Sequence, residues 1–387
     1  MPTLHRVLVS AQYCLMATVL VQGQMFAQEK TTESPVKATM HEFFQALTIA
    51  LPWSLDEKQF QDPAHRQEIL DALRALAQNA ELMQGHGQHT PQSFDFLRRT
   101  LMQRAQDAAQ QYAQENYRPA RFLLQGLTES CFACHSRLPS SQAFDLGKRF
   151  LERTNVASLP LRERIKLAVA TRQFDTALSL CEALFNTPNM TAADIGLMGI
   201  FEDYLKLIIR VRHNFPQAIT VLEQFLRRSN VPPYLRDRVT SWVAALKELQ
   251  SQGTTDQELP RARALIEAGQ LRNRFPADQQ GLVHFAVASS LLHRYIDSRP
   301  ADQDSLAEAY YLLGIAESYI SRTSWISETA FFLETAIRLA PASPIAAQAY
   351  DVLNTYILTE YTGSSGLHLP AEIQEHLDEL RRLRGEP

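Results

Sequence analysis

The run YRPARFLLQGLTESCFACHSRL, residues 117 to 138, spaces Leu124, Leu127, Cys131, Cys134, His135 and Leu138 three and four apart. That spacing is one face of an α-helix. Both cysteines and the histidine therefore point into the core that this helix helps to build. Pro139 stops the helix, because its ring cannot continue the backbone ladder.

Three chemistries use two cysteines and a histidine in this order. In a haem tether each thiolate adds across one vinyl group, and the adjacent histidine reaches the iron as its proximal ligand. A dithiol oxidoreductase carries its C-x-x-C at the start of a helix after a strand, where the helix dipole lowers a thiol pKa. Nothing before Cys131 reads as a strand. A structural zinc site needs four ligands. The other close histidine pair is His86 and His89, so Cys131, Cys134, His86 and His89 form the zinc alternative. With 4 Cys and 11 His among 387 residues, about 0.001 chance matches to C-x-x-C-H are expected along the chain. The favoured expectation is one covalent haem c on Cys131 and Cys134, with His135 as proximal iron ligand.

Three more amphipathic segments lie upstream. The first places Val36, Met40, Phe43, Phe44, Leu47 and Leu51 on one face and is expected to end at Pro52. The second opens on an Asp62 cap with Pro63 at its first position, carries Ile69, Leu73, Leu76, Ala80 and Met83, and ends at Gly85. The third opens on Thr90-Pro91 and buries Phe94, Leu97, Leu101, Ala105, Ala108 and Tyr112. Four such helices joined by short loops predict an up-down-up-down bundle over residues 34–140.

A four-helix bundle with C-x-x-C-H near the end of its fourth helix resembles the cytochrome c-prime family and its low-spin relatives. The resemblance covers residues 36 to 140. It implies a haem hanging from the fourth helix, with the sixth coordination position facing the first helix, which supplies a methionine or an apolar cover. Met40 lies one turn into that helix, on its core stripe, at the end where the fourth helix finishes. It is the expected sixth ligand, with Met83, His86 and His89 as runners-up. Arg98, Arg121 and Arg137 are the candidates for pairing with haem propionates.

The N-terminus sets the compartment. His5 and Arg6 precede an apolar stretch from Val7 to Val21, and small residues at Gly23 and Ala27 lead into QEKTTESP. This is the layout of a secretory signal peptide over residues 1–27. The mature protein is expected in the periplasm, with no membrane span after cleavage. A formal net charge of -4 without a long basic run argues against a nucleic-acid partner.

Beyond a linker at 141–159, residues 160–387 read as a second all-helical region. Ala177, Cys181 and Leu184 are echoed by Ala218, Leu222 and Phe225, and again by Tyr310, Leu313 and Gly314 followed by Leu333 and Ala336. These resemble tetratricopeptide repeats, in which small residues let two helices pack closely, although the 41-residue step from Ala177 to Ala218 exceeds the usual repeat. The expected fold is all-α: a haem-binding four-helix bundle followed by a TPR-like α-solenoid. Cys181 is expected to be buried and inert. No phosphate loop, HExxH helix or nucleophile elbow is present, so an electron-transfer or haem-binding protein is expected rather than an enzyme. The repeats would dock a redox partner. The alternatives are a gas-binding sensor or scaffold with an open sixth position, and a repeat adaptor with a zinc-binding C-x-x-C-H. The bundle, having its own core, is expected to survive as a fragment ending near Ser141.

Overall fold

A computed structural model describes residues 35–83, 92–136, 145–153, 156–187, 190–197, 199–253, 257–275, 278–298, 300–321, 327–364 and 366–385. The expected signal peptide, His86, His89, Arg137 and Pro139 lie outside the described residues. Among those described, the chain is all-α apart from one two-residue hairpin, Thr362–Gly363 with Gly366–Leu367. No helix among them is long and apolar enough to cross a membrane.

The first core is built by α1 (Pro35–Ser54), α2 (Glu57–Gln61), α3 (Arg66–Leu82), α4 (Gln92–Ala113) and α5 (Tyr117–His135). The stripes read from the sequence are the buried faces: Phe43, Phe44, Leu47 and Leu51 from α1, Ile69, Leu73 and Leu76 from α3, Leu101, Ala105, Ala108 and Tyr112 from α4. Two boundaries differ from the expectation. Pro52 does not end α1, which runs on to Ser54. So near the end of a helix a proline forfeits one backbone bond, and the exposed carbonyls find other donors. Arg121 Nε (2.5 Å) and Gln125 Nε2 (2.8 Å) both donate to Ser54 O. Asp62 accepts from Ala64 N, but it caps a 3-10 turn, Pro63–His65, that leads into α3.

The end of α1 lies beside the start of α5. Arg66 at the start of α3 donates to Ala113 O at the end of α4, and Arg104 of α4 donates to Gly126 O of α5. The packed helices α3, α4 and α5 therefore alternate in direction.

A short helix, α6 (Asp145–Arg153), occupies the stretch read as a linker, and its Phe150 stands edge-on to Phe44 at 5.6 Å. The second core then runs through α7 (Leu161–Ala170), α8 (Phe174–Phe185), α9 (Ala192–Leu197), α10 (Ile200–Leu207), a π-helical turn (Ile208–Arg212), α11 (Phe215–Leu226), α12 (Pro233–Gln252), α13 (Glu258–Arg272), α14 (Leu282–Asp297), α15 (Gln303–Ile320), α16 (Thr329–Leu339), α17 (Pro344–Glu360) and α18 (Ala371–Leu383). The apolar residues singled out above, Ala177, Cys181, Leu184, Ala218, Leu222, Phe225, Tyr310, Leu313, Leu333 and Ala336, are all buried here. Close approach explains Gly314: a Cβ there would sit 2.7 Å from the Leu333 side chain on α16. Burial pushes the Cys181 thiol well above its ordinary pKa, as suits an inert core residue.

Residues from Thr39 onward form one compact unit. The two cores meet along α5 and α7. Phe132 of α5 belongs to the second core and Leu167 of α7 to the first. Glu129 and Lys166 form a buried ion pair between the two helices, and Lys206 of α10 lies 5.7 Å from the Phe132 ring. Phe96 of α4 stacks on Phe331 of α16 at 5.0 Å. These contacts change the expectation for a fragment ending near Ser141. Removing α7 takes Lys166 away but also opens Glu129 to water, so the lost ion pair leaves no buried charge behind and costs little by itself. Exposing Phe132 adds about 1.5–3 kcal/mol. A 34–141 fragment should therefore melt well below the whole chain, or without cooperativity, in circular dichroism; a melt matching that of the intact protein would show the junction to be dispensable.

Candidate functional site

The C-x-x-C-H occupies the last turn and a half of α5. His135 is its final residue, and Ser136 N closes the end by donating to Phe132 O at 3.0 Å. Ala120, Leu124 and Leu127 form its buried stripe against the first core, and Cys131 continues that stripe at 7% exposure. Cys131 nevertheless belongs to neither apolar core, unlike its neighbour Phe132. Burial, reinforced by the adjacent Cys134, pushes the Cys131 thiol up to about 12. No disulfide joins the two cysteines.

Cys134 and His135 are half-buried, and His135 faces the α7–α8 turn. His135 Nδ1 lies 3.4 Å from Val169 O, a long hydrogen bond. A carbonyl can only accept, so this contact requires the proton on Nδ1 and leaves Nε2 as the imidazole's lone-pair nitrogen. Burial, with the positive charge of Arg172 second, lowers the His135 pKa to about 4. At neutral pH the ring is uncharged, the form in which an imidazole binds metal. The turn itself is held by Thr171 Oγ1, which bonds Leu167 O (2.9 Å) and Ala168 O (3.1 Å).

Met40, on α1, is half-buried against the first core. Met83, at the end of α3, is 3% exposed in the same core. His86 and His89 lie outside the described residues.

The arginines divide. Arg121 is at the wrong end of α5, donating to Ser54 O and Leu55 O and facing Glu57 at 3.6 Å. It is a helix-end clamp and not a neighbour of the motif, which corrects its expected place. Arg98 is buried at the motif's level. Arg137 lies outside the described residues.

Sequence reasoning missed the Val169 carbonyl and the Glu129–Lys166 pair. A backbone acceptor leaves no mark in a sequence, and Glu129 sits in a stretch that reads as the solvated side of α5. Among the described residues no three His, Cys, Asp or Glu side chains gather as a ligand set for an ion. Compared with known protein families, curated proteins and solved structures, the chain matches none.

Proposed function

We propose that this chain is an exported, periplasmic mono-haem c-type cytochrome that passes single electrons, its haem c held by Cys131 and Cys134 with His135 as proximal ligand. The haem-bearing part is a four-helix bundle of the cytochrome c-prime kind, and the remainder is a TPR-like array. One observation carries the reading: a C-x-x-C-H without a disulfide ends α5 with an imidazole whose Nδ1 is directed at a backbone carbonyl. Metal-binding histidines regularly donate their second nitrogen to a carbonyl in this way, which fixes the tautomer and ring orientation. The residues present fit the group.

When bound, haem supplies the one-electron chemistry. The chain's own residues do the rest. Val169 O orients the His135 ring, and the buried Cys131 keeps one attachment point away from water. Aliphatic side chains of the first core, Leu124 and Leu127 of the same helix among them, would give the group a low-dielectric wall. A redox partner protein docks on the array, on helices not occupied by α5.

The sixth position is assigned to Met40, with Met83, His86 and His89 as runners-up. Met40→Ala should convert a low-spin absorption spectrum to a high-spin one that responds to CO. It should also lower the potential, because a thioether favours ferrous iron. A variant spectrum indistinguishable from the parent would move the assignment to a runner-up. A parent already high-spin and CO-reactive would favour the sensor reading over electron transfer.

A further inference from the structure

We propose that Arg98 is the anion anchor of this site, binding a carboxylate of the cofactor, a haem propionate, through the edge of its guanidinium left open at Nη1. The inference rests on the haem reading above and adds a binding residue to it.

The argument begins with position. Counting about 100° per residue, Arg98 falls within an arc of about 80° shared with Leu101, Ala105, Ala108 and Tyr112, the buried stripe of α4. An arginine thus stands where the helix otherwise carries core side chains, and it is 7% exposed. Its height follows from two ties between the packed, antiparallel α4 and α5. Tyr112 and Tyr117 have ring centroids 5.2 Å apart, and Arg98 and Cys131 are each 14 residues, about 21 Å, from those rings. From the Arg104–Gly126 bond, Arg98 is six residues back and Cys131 five residues on, which gives the same level to within about 2 Å.

The charge balance comes next. Arg98 donates from Nε (3.0 Å) and Nη2 (2.8 Å) to Asp95 Oδ1. The same carboxylate faces Arg99 Nε at 3.2 Å. One carboxylate against two guanidiniums leaves a positive charge over. Nη1 of Arg98 is buried and has no acceptor among the described residues. An unfilled donor on a buried cation is costly, and such groups are rarely left so without a ligand to fill them. A guanidinium suits a carboxylate, which it can engage with two parallel N–H groups. Glu129, the buried carboxylate of α5 two residues before Cys131, is already held by Lys166.

The test is a spectroelectrochemical titration of the full-length haem protein. Losing the cation should favour the ferric form at least tenfold in Arg98→Gln and in Arg98→Met, a shift of about 59 mV for a one-electron couple. Arg98→Lys, which keeps the charge but loses the fork, should recover most of it. The exposed Arg99→Gln should stay within twofold of the parent. The propionate bending band in resonance Raman should move in the Gln and Met variants but not in Arg99→Gln, a readout that a purely structural role would not change. Arg98→Lys, the mildest change, keeps the test open if the neutral variants fold poorly, because the propionate band must still differ from the parent's. Haem bound with potential and Raman band unmoved in every Arg98 variant overturns the Arg98 assignment and leaves the cytochrome reading standing. A parent protein without covalent haem overturns both.

Discussion

Produced in a host with intact cytochrome maturation, the chain should run on a denaturing gel as a haem-staining band, and Cys131→Ala/Cys134→Ala should abolish that band. The expected change is from one haem per chain to none. Thioether bonds survive denaturant, so staining after unfolding reports attachment and not affinity. The two cysteines differ in exposure: Cys131 continues the α5 stripe at 7%, and Cys134, three residues on, is half-buried. A buried thiol cannot meet a porphyrin vinyl once α5 has packed, so attachment belongs to the folding chain. The already folded apoprotein, incubated with haem, should therefore stain far more weakly than the matured protein. A mature mass without the haem increment would sink the cytochrome reading and return attention to zinc or dithiol chemistry at the same motif.

Much of the first core was legible because its side chains obey one rule. Phe43, Leu47 and Leu51, or Leu101, Ala105, Ala108 and Tyr112, recur at the helical period, and every one is buried. What escaped notice was too short or too two-sided for that rule. The five residues of α2 span little more than one turn, yet Phe60 is buried there, and Tyr112 donates to its carbonyl at 3.0 Å. The nine residues of α6 include Phe150, buried, and Leu151, half-buried against both cores, in a stretch that reads as a connection. The stripe on α5 was read as facing one core, whereas Phe132 faces the second. Periodicity locates a buried face but cannot say which neighbour covers it.

The candidate site is legible in the sequence only as a motif, Cys131, Cys134 and His135, picked out by residue type and spacing. The partner of His135 was not legible, because Val169 contributes a carbonyl and any residue other than proline at that position would offer the same group. Arg98 and Arg121 looked alike as arginines near helix ends. Only the register separates them, placing one at the motif's level and the other about 21 Å away along α5. The contact between α7 and α5 brings a C-terminal helix to the motif, with Val169 O of α7 facing the His135 ring.

Glu317→Ala should destabilise the protein by about 3–5 kcal/mol, the cost of breaking a buried ion pair from one side. Arg210 Nη2 donates to Glu317 Oε1 at 2.7 Å and to Ser289 Oγ at 2.9 Å, and Ser289 Oγ donates to Glu317 at 2.9 Å. The three residues join the π-helical turn, α14 and α15, and Glu317 is 1% exposed. Deleting the carboxylate leaves a guanidinium in the interior whose Nε already has no hydrogen-bond partner among the described residues. The double variant Arg210→Met/Glu317→Leu, which removes both charges and keeps the volume, should be less destabilised than either single change. Urea midpoints read by circular dichroism measure this, and a single-variant loss below 1 kcal/mol would mean that water reaches the pair. The same titration, followed through the haem absorption band, tests the link between the cores. Val169 and Lys166 tie α5 to the array that Glu317 stabilises, so loss of the His135 environment and loss of helix should share one midpoint in the parent, and both should fall together in Glu317→Ala. A haem band that keeps its own midpoint while helix is lost would show that the first core holds its cofactor without the array.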